Sequence, residues 1–97
     1  MRAHDEVTVT GAGYSDPIYI DYDVNLITVA LIFESASTAY IETTLSSVAD
    51  VTAETAVWEI WSNGTVSVYT SDTAYAPTAI RVRNLGAGIV TMVIRGN

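Results

Sequence analysis

Apolar and polar residues alternate along most of this chain with a period of two, the period of a strand with one buried face. In residues 6–10 (EVTVT), Val7 and Val9 share one face. In residues 17–22 (PIYIDY), Ile18, Ile20 and Tyr22 share one face and Tyr19 and Asp21 the other; Pro17 stands first, where a strand tolerates it. Residues 25–35 (NLITVALIFES) are apolar on nearly both faces and predict a central strand whose second face is also covered. Residues 38–45 (TAYIETTL) alternate more weakly. Further strand patterns follow at 56–61 (AVWEIW), 65–70 (TVSVYT), 78–84 (TAIRVRN) and 89–95 (IVTMVIR).

Between these runs lie turn signals. Residues 11–17 (GAGYSDP) form a turn cluster. Asn63-Gly64, between two alternating runs, predicts a hairpin, because both residues tolerate positive φ. Residues 85–88 (LGAG) predict a second hairpin between the last two strands. The middle, residues 46–55 (SSVADVTAET), lacks alternation. Ser47 is placed to cap one short helical turn there, and the β-branched residues Thr43, Thr44, Val51, Thr52, Thr55 and Val57 argue against a long helix. Seven or eight strands at regular spacing predict an all-β antiparallel sandwich, jelly-roll or Ig-like, forming a single domain over 1–97 with 1–5 as a flexible tail.

Composition sharpens this picture. The 97 residues include no cysteine, so neither a disulfide nor a thiolate metal site supports the core. Hydrophobic residues make up 49% of the chain and charged ones 15%, against about 25% charged in an average globular domain. That balance points to surface made for contact, and so to a homo-oligomer. Eleven carboxylates face four arginines and no lysine, for a net charge of −7, which argues against a nucleic-acid partner. The apolar run at 26–33 is too short to cross a bilayer and contains Thr28, and residues 1–16 hold no apolar core of signal-peptide length. The expectation is a soluble protein with no membrane partner and no conventional secretory route.

The motifs point away from catalysis. Asp21, Asp23 and Asn25 have the spacing that opens an EF-hand loop, but Leu26 and Ile32 stand where glycine and glutamate are required, leaving a solvated turn. The two GAG stretches open no strand-to-helix unit that could cradle phosphate. The glycosylation-type NGT at 63–65 reads as a tight turn before a strand threonine. His4, the one histidine, falls in the expected tail, away from any serine it could activate. The sequence predicts no enzyme, cofactor or metal site.

Aromatic and arginine positions carry more information. Trp58 and Trp61, three apart, point to opposite faces of a strand; one belongs to the core and the other is half exposed or covered by another chain. Ile80 and Val82 share the core face of their strand, and Arg81 and Arg83 share the outer one. Two neighbouring guanidiniums need carboxylates across from them. Glu42 or Glu59 of this chain would supply one in an intramolecular ladder; a second subunit or a capsid surface would do so equally well. The interface candidates are Arg81, Arg83, Arg95, Trp61 and Tyr75.

Residues 17–22, 38–43, Trp58, 75–82 (YAPTAIRV) and 88–94 (GIVTMVI) occur in an order that resembles small virion proteins of tailed bacteriophages. In that group a P-I-x-L-D-Y-like strand leads, an aromatic segment precedes a P-x-T-A-I-R strand, and a V-T-x-x-V-I strand closes. The resemblance covers about residues 14–97. It implies a β-sandwich capsid decoration (cement) protein, commonly a trimer or bound to the shell lattice. Its partners would be itself and the major capsid protein. It would be assembled in the host bacterial cytoplasm and located on the capsid surface of the virion. The alternative from the residues alone is a carbohydrate- or host-surface-binding sandwich of a phage head or tail, using an exposed Trp61 and tyrosines beside carboxylates.

Overall fold

The computed structural model describes residues 4–21 and 23–96. Residues 1–3 of the expected tail, and Tyr22 as the third inward position of its strand, lie outside the described residues. The elements run β1 (His4–Thr10), β2 (Gly13–Tyr14), β3 (Ile18–Tyr19), β4 (Leu26–Phe33), β5 (Ala39–Thr44), α1 (Val48–Thr52), β6 (Glu59–Ile60), β7 (Thr70–Tyr75), β8 (Ala79–Asn84) and β9 (Ile89–Gly96). His4 and Asp5, expected in the tail, instead begin β1 opposite Arg95 and Ile94. Two sheets form, ordered β1-β9-β4-β7 and β2-β8-β5-β6, with β3 continuing the β2 edge along β8. All pairings are antiparallel. Successive strands mostly change sheets, and this order is that of a jelly roll, not of an immunoglobulin sandwich.

Alternation does what period two requires. Ile27, Val29 and Leu31 of β4 meet Val90, Met92 and Ile94 of β9 on the inner face of one sheet. Ile41 of β5 and Ile80 and Val82 of β8 fill the inner face of the other. Ser15 repairs the gap between β2 and β3: its N–H donates to the Val82 carbonyl and its hydroxyl accepts from the Val82 N–H, both near 3 Å. Ser47 caps α1, accepting from the Asp50 N–H at 3.2 Å, as its position predicts.

Both predicted hairpins are absent. β8 and β9 belong to different sheets, and residues 85–88 form a corner between them. Asn84, wholly buried, holds that corner: its amide donates to the carbonyl of Gly88 at 2.9 Å and its oxygen accepts from the Ser37 hydroxyl and the Gly86 N–H. Gly88 packs directly on the carbonyls of Ser35 and Ala36, where any side chain would collide. Asn63-Gly64 turns the chain, with Gly64 at φ +63°, but as an excursion along one edge. The chain leaves β5 at Trp61, whose N–H bonds the Ile41 carbonyl, and rejoins it at Val66 opposite Ala39. Only then does it cross to β7 in the other sheet.

The arginine face of the second sheet

Register places the outward residues of β5 and β8 side by side: Tyr40 opposite Arg83, Glu42 opposite Arg81, and Thr44 opposite Ala79. β2 adds Tyr14, opposite Arg83 from the other side. Thr44 and Ala79 are buried although they point away from the core, because residues 45–58 fold back over that end of the sheet. Two bonds anchor this flap: the Thr44 hydroxyl donates to the Val57 carbonyl at 2.7 Å, and the Val57 N–H donates to the Ser46 hydroxyl. The flap delivers Trp58 to the outer face of the sheet.

Arg81 is the centre of this face. Its Nε donates to Glu42 Oε1 at 2.9 Å, and the two side chains are only 22% and 11% exposed. The guanidinium carbon lies 4.1 Å from the centre of the Tyr14 ring and 4.1 Å from that of Trp58. Of the two carboxylates the sequence offered, Glu42 is therefore the partner. Glu59 sits opposite Thr43, on the other face of the strand. Arg83 stacks on Tyr14 at 4.4 Å. The phenol of Tyr40 ionises above its usual range, first because it is partly desolvated, then because of its hydrogen bond to Tyr14 and the nearby Glu42 charge; Arg83 opposes the shift. Tyr40 is thus a neutral hydroxyl at physiological pH.

An open cleft of about 720 Å³ borders this cluster. Tyr14, Asp16 and Tyr19 form one wall and Thr52, Glu54 and Trp58 the other, with Arg81 between them. The Tyr19 hydroxyl lies 3.2 Å from that of Thr52, tying the two walls together.

The five interface candidates do not form one site. Arg81 and Arg83 share the face just described. Arg95 is on β9 of the other sheet, between His4 and Thr28. Tyr75 ends β7 and is 86% exposed, beside Leu26. Trp61, expected at the surface, is in the core; its indole donates to the Gly64 carbonyl at 2.7 Å. The parity argument for the tryptophans holds with the roles exchanged, since Trp58 takes the outer place. Asp21 and Asp23 occupy a loop in which the Val24 N–H bonds the Asp21 carbonyl. Among the described residues, no three acidic or histidine side chains converge on one point. Tyr14 and Tyr40, which complete the arginine face, were not visible in the sequence. The only signal for Tyr40 was its position two residues before Glu42, and Tyr14 was hidden in a turn cluster.

No family model and no curated protein matches this chain. Among solved structures it is similar to the cupin domain of Drosophila melanogaster CENP-C (TM-score 0.57, 10% identity, covering 99% of this chain and 61% of that one). It is equally similar to Drosophila melanogaster CENP-C bound to CAL1 (TM-score 0.57, 9% identity, 99% of this chain and 65% of that one). The chain thus spans somewhat less than two thirds of those structures. At such low identity the likeness concerns the fold alone, and it agrees with the all-β jelly roll that the strand order describes.

Proposed function

We propose that this protein is a structural, protein-binding module: a capsid decoration protein of a tailed bacteriophage that self-associates, as the trimer the sequence resemblance implies, and binds the major capsid protein at the virion surface. The observation that carries this reading is the outer face of the β1-β9-β4-β7 sheet. The hydrophobicity of β4 on both sides calls for cover on its second face, and the described residues supply none. Leu26 and Ile32 are 36% and 39% exposed there. Thr28 and Ala30 lie between them, and Ile89, Thr91 and Val93 of β9 adjoin. Hydroxyls on this face pair with each other, Thr8 with Thr91 at 2.9 Å and Thr28 with Thr73 at 3.4 Å, which lowers the cost of removing them from water. Glu6 and Arg95 stand at its border and supply both signs of charge, so that neighbouring copies can pair opposite charges at the rim.

Sedimentation velocity at high micromolar concentration tests the self-association. The native chain is expected to run as an oligomer and Ile32→Asp as a folded monomer, because a half-exposed side chain contributes little to folding. A native monomer would refute it. Mass spectrometry of purified heads tests the virion assignment, which fails if peptides of this chain are missing.

A second reading, a carbohydrate- or host-surface-binding module, draws on the cleft, where Tyr14, Tyr19 and Trp58 lie beside Asp16 and Glu54 on the other sheet. Glycan-array binding that disappears in Tyr19→Ala would favour it over the first.

A further inference from the structure

The two arginines of β8 leave the same face of the sheet but meet different company. Arg81 has a carboxylate at 2.9 Å and a ring on either hand. Its charge is answered within the chain. Arg83, two residues on, has the Tyr14 ring at 4.4 Å and Tyr40 across the ladder. Among the described residues no carboxylate lies within ion-pair distance of it. The cluster therefore holds two positive charges against one negative, on a chain whose net charge is −7.

A half-buried guanidinium without a counter-charge is an unusual thing to build on a rigid sheet. Arginine tolerates it better than lysine, being weakly hydrated and able to stack, and its planar fork matches a carboxylate in two parallel hydrogen bonds. Tyr14 and Tyr40 flank Arg83 through β2 and β5, so that an incoming carboxylate would find a guanidinium with hydroxyl-bearing rings on both sides. The surrounding acidic surface disfavours polyanions with continuous charge and favours a short segment that presents one or two carboxylates.

We propose that Arg83, flanked by Tyr14 and Tyr40, is a docking point for a carboxylate side chain of an acidic segment on a partner protein. This surface lies on the sheet opposite the self-association face, so the module has two independent contact faces. The inference does not depend on self-association, and the two can fail separately.

The test is an NMR titration of the labelled full-length chain with a short peptide that carries two spaced carboxylates, Gly-Glu-Gly-Gly-Glu-Gly with both ends blocked, following Arg83 Nε–H, the Tyr14 and Tyr40 rings and the Trp58 indole. Hexalysine and inorganic phosphate serve as separate probes. Saturable shifts centred on Arg83 are expected with the two-glutamate peptide alone, weakening as salt is added. Arg83→Gln should weaken binding by about tenfold or more, the loss of one charge-assisted pair, while the chain stays folded and its melting temperature falls by no more than a few degrees. Arg83→Lys should restore part of the affinity, having the charge without the fork. Shifts that avoid Arg83, undiminished binding by Arg83→Gln, or phosphate matching the peptide would each overturn the proposal.

Discussion

Replacing Arg81 with alanine separates a structural arginine from a surface one. The substitution removes a hydrogen bond to Glu42 at 2.9 Å and two ring contacts at 4.1 Å. Glu42 is left 11% exposed and without its cation. Stranding a buried polar group costs about 1–3 kcal/mol, and each cation–π contact adds about 0.5–1 kcal/mol. Breaking a fully buried pair costs about 3–5 kcal/mol, whereas exposed pairs contribute about 0–1, and this one lies between. The expected loss is about 3 kcal/mol, reduced slightly in Glu42→Ala because that change also relieves the acidic excess. For a domain of this size each kcal/mol moves the melting temperature by about 4–8 °C, so Arg81→Ala should melt more than ten degrees early. Arg83→Ala loses one stacking contact and should cost about 1 kcal/mol or less. Urea denaturation of Arg81→Ala, Glu42→Ala and the double variant completes the cycle, with an expected coupling of about 1–2 kcal/mol. A loss below about 0.5 kcal/mol for Arg81→Ala, or zero coupling, would refute the argument that this pair is part of the fold.

Three further outcomes follow from particular contacts. Asn84→Leu should lower stability by about 2–3 kcal/mol, since it strands the Gly88 carbonyl and the Ser37 hydroxyl at the β8–β9 corner; chemical denaturation measures it. Trp61→Ala should cost about 3–5 kcal/mol and Trp58→Ala far less, and iodide should quench Trp58 before Trp61 in the single-tryptophan variants. The Asp72 carboxyl ionises below its ordinary value of 3.8, held there by the Thr73 N–H and then by the Ser62 hydroxyl, with Asn63 adding to the effect. A depressed folded-state pKa stabilises above the unfolded value and is lost as pH falls through the folded one. Melting temperature should therefore drop on acidification below about pH 4, and the drop should be shallower in Asp72→Asn.

Much of the fold was legible because it depends on local chemistry. Ile80 and Val82 inside with Arg81 and Arg83 outside, the alternation in β1, and the Ser47 cap are all decided by residues within one turn or one strand. The hairpins were misread for a physical reason. Asn63-Gly64 and residues 85–88 specify that the chain reverses, but turn chemistry does not say whether the next strand pairs with the last one or crosses to the facing sheet. In a jelly roll it mostly crosses. The same limit hid the site. Parity places Trp58 and Trp61 on opposite faces, but which face is the core depends on whether Trp61 finds an acceptor for its indole, and Gly64 supplies one.

The sequence by itself determined that this chain makes a small all-β sandwich with an acidic surface, few cations and an uncommitted hydrophobic strand, because composition and period two follow directly from residue order. Tertiary structure alone decided that Glu42 rather than Glu59 answers Arg81, that Tyr14 reaches both arginines, and that the described residues leave the second face of β4 exposed. These are matters of register and strand order: a one-residue shift would exchange every inward side chain for an outward one, and only the packing of the two sheets chooses between them.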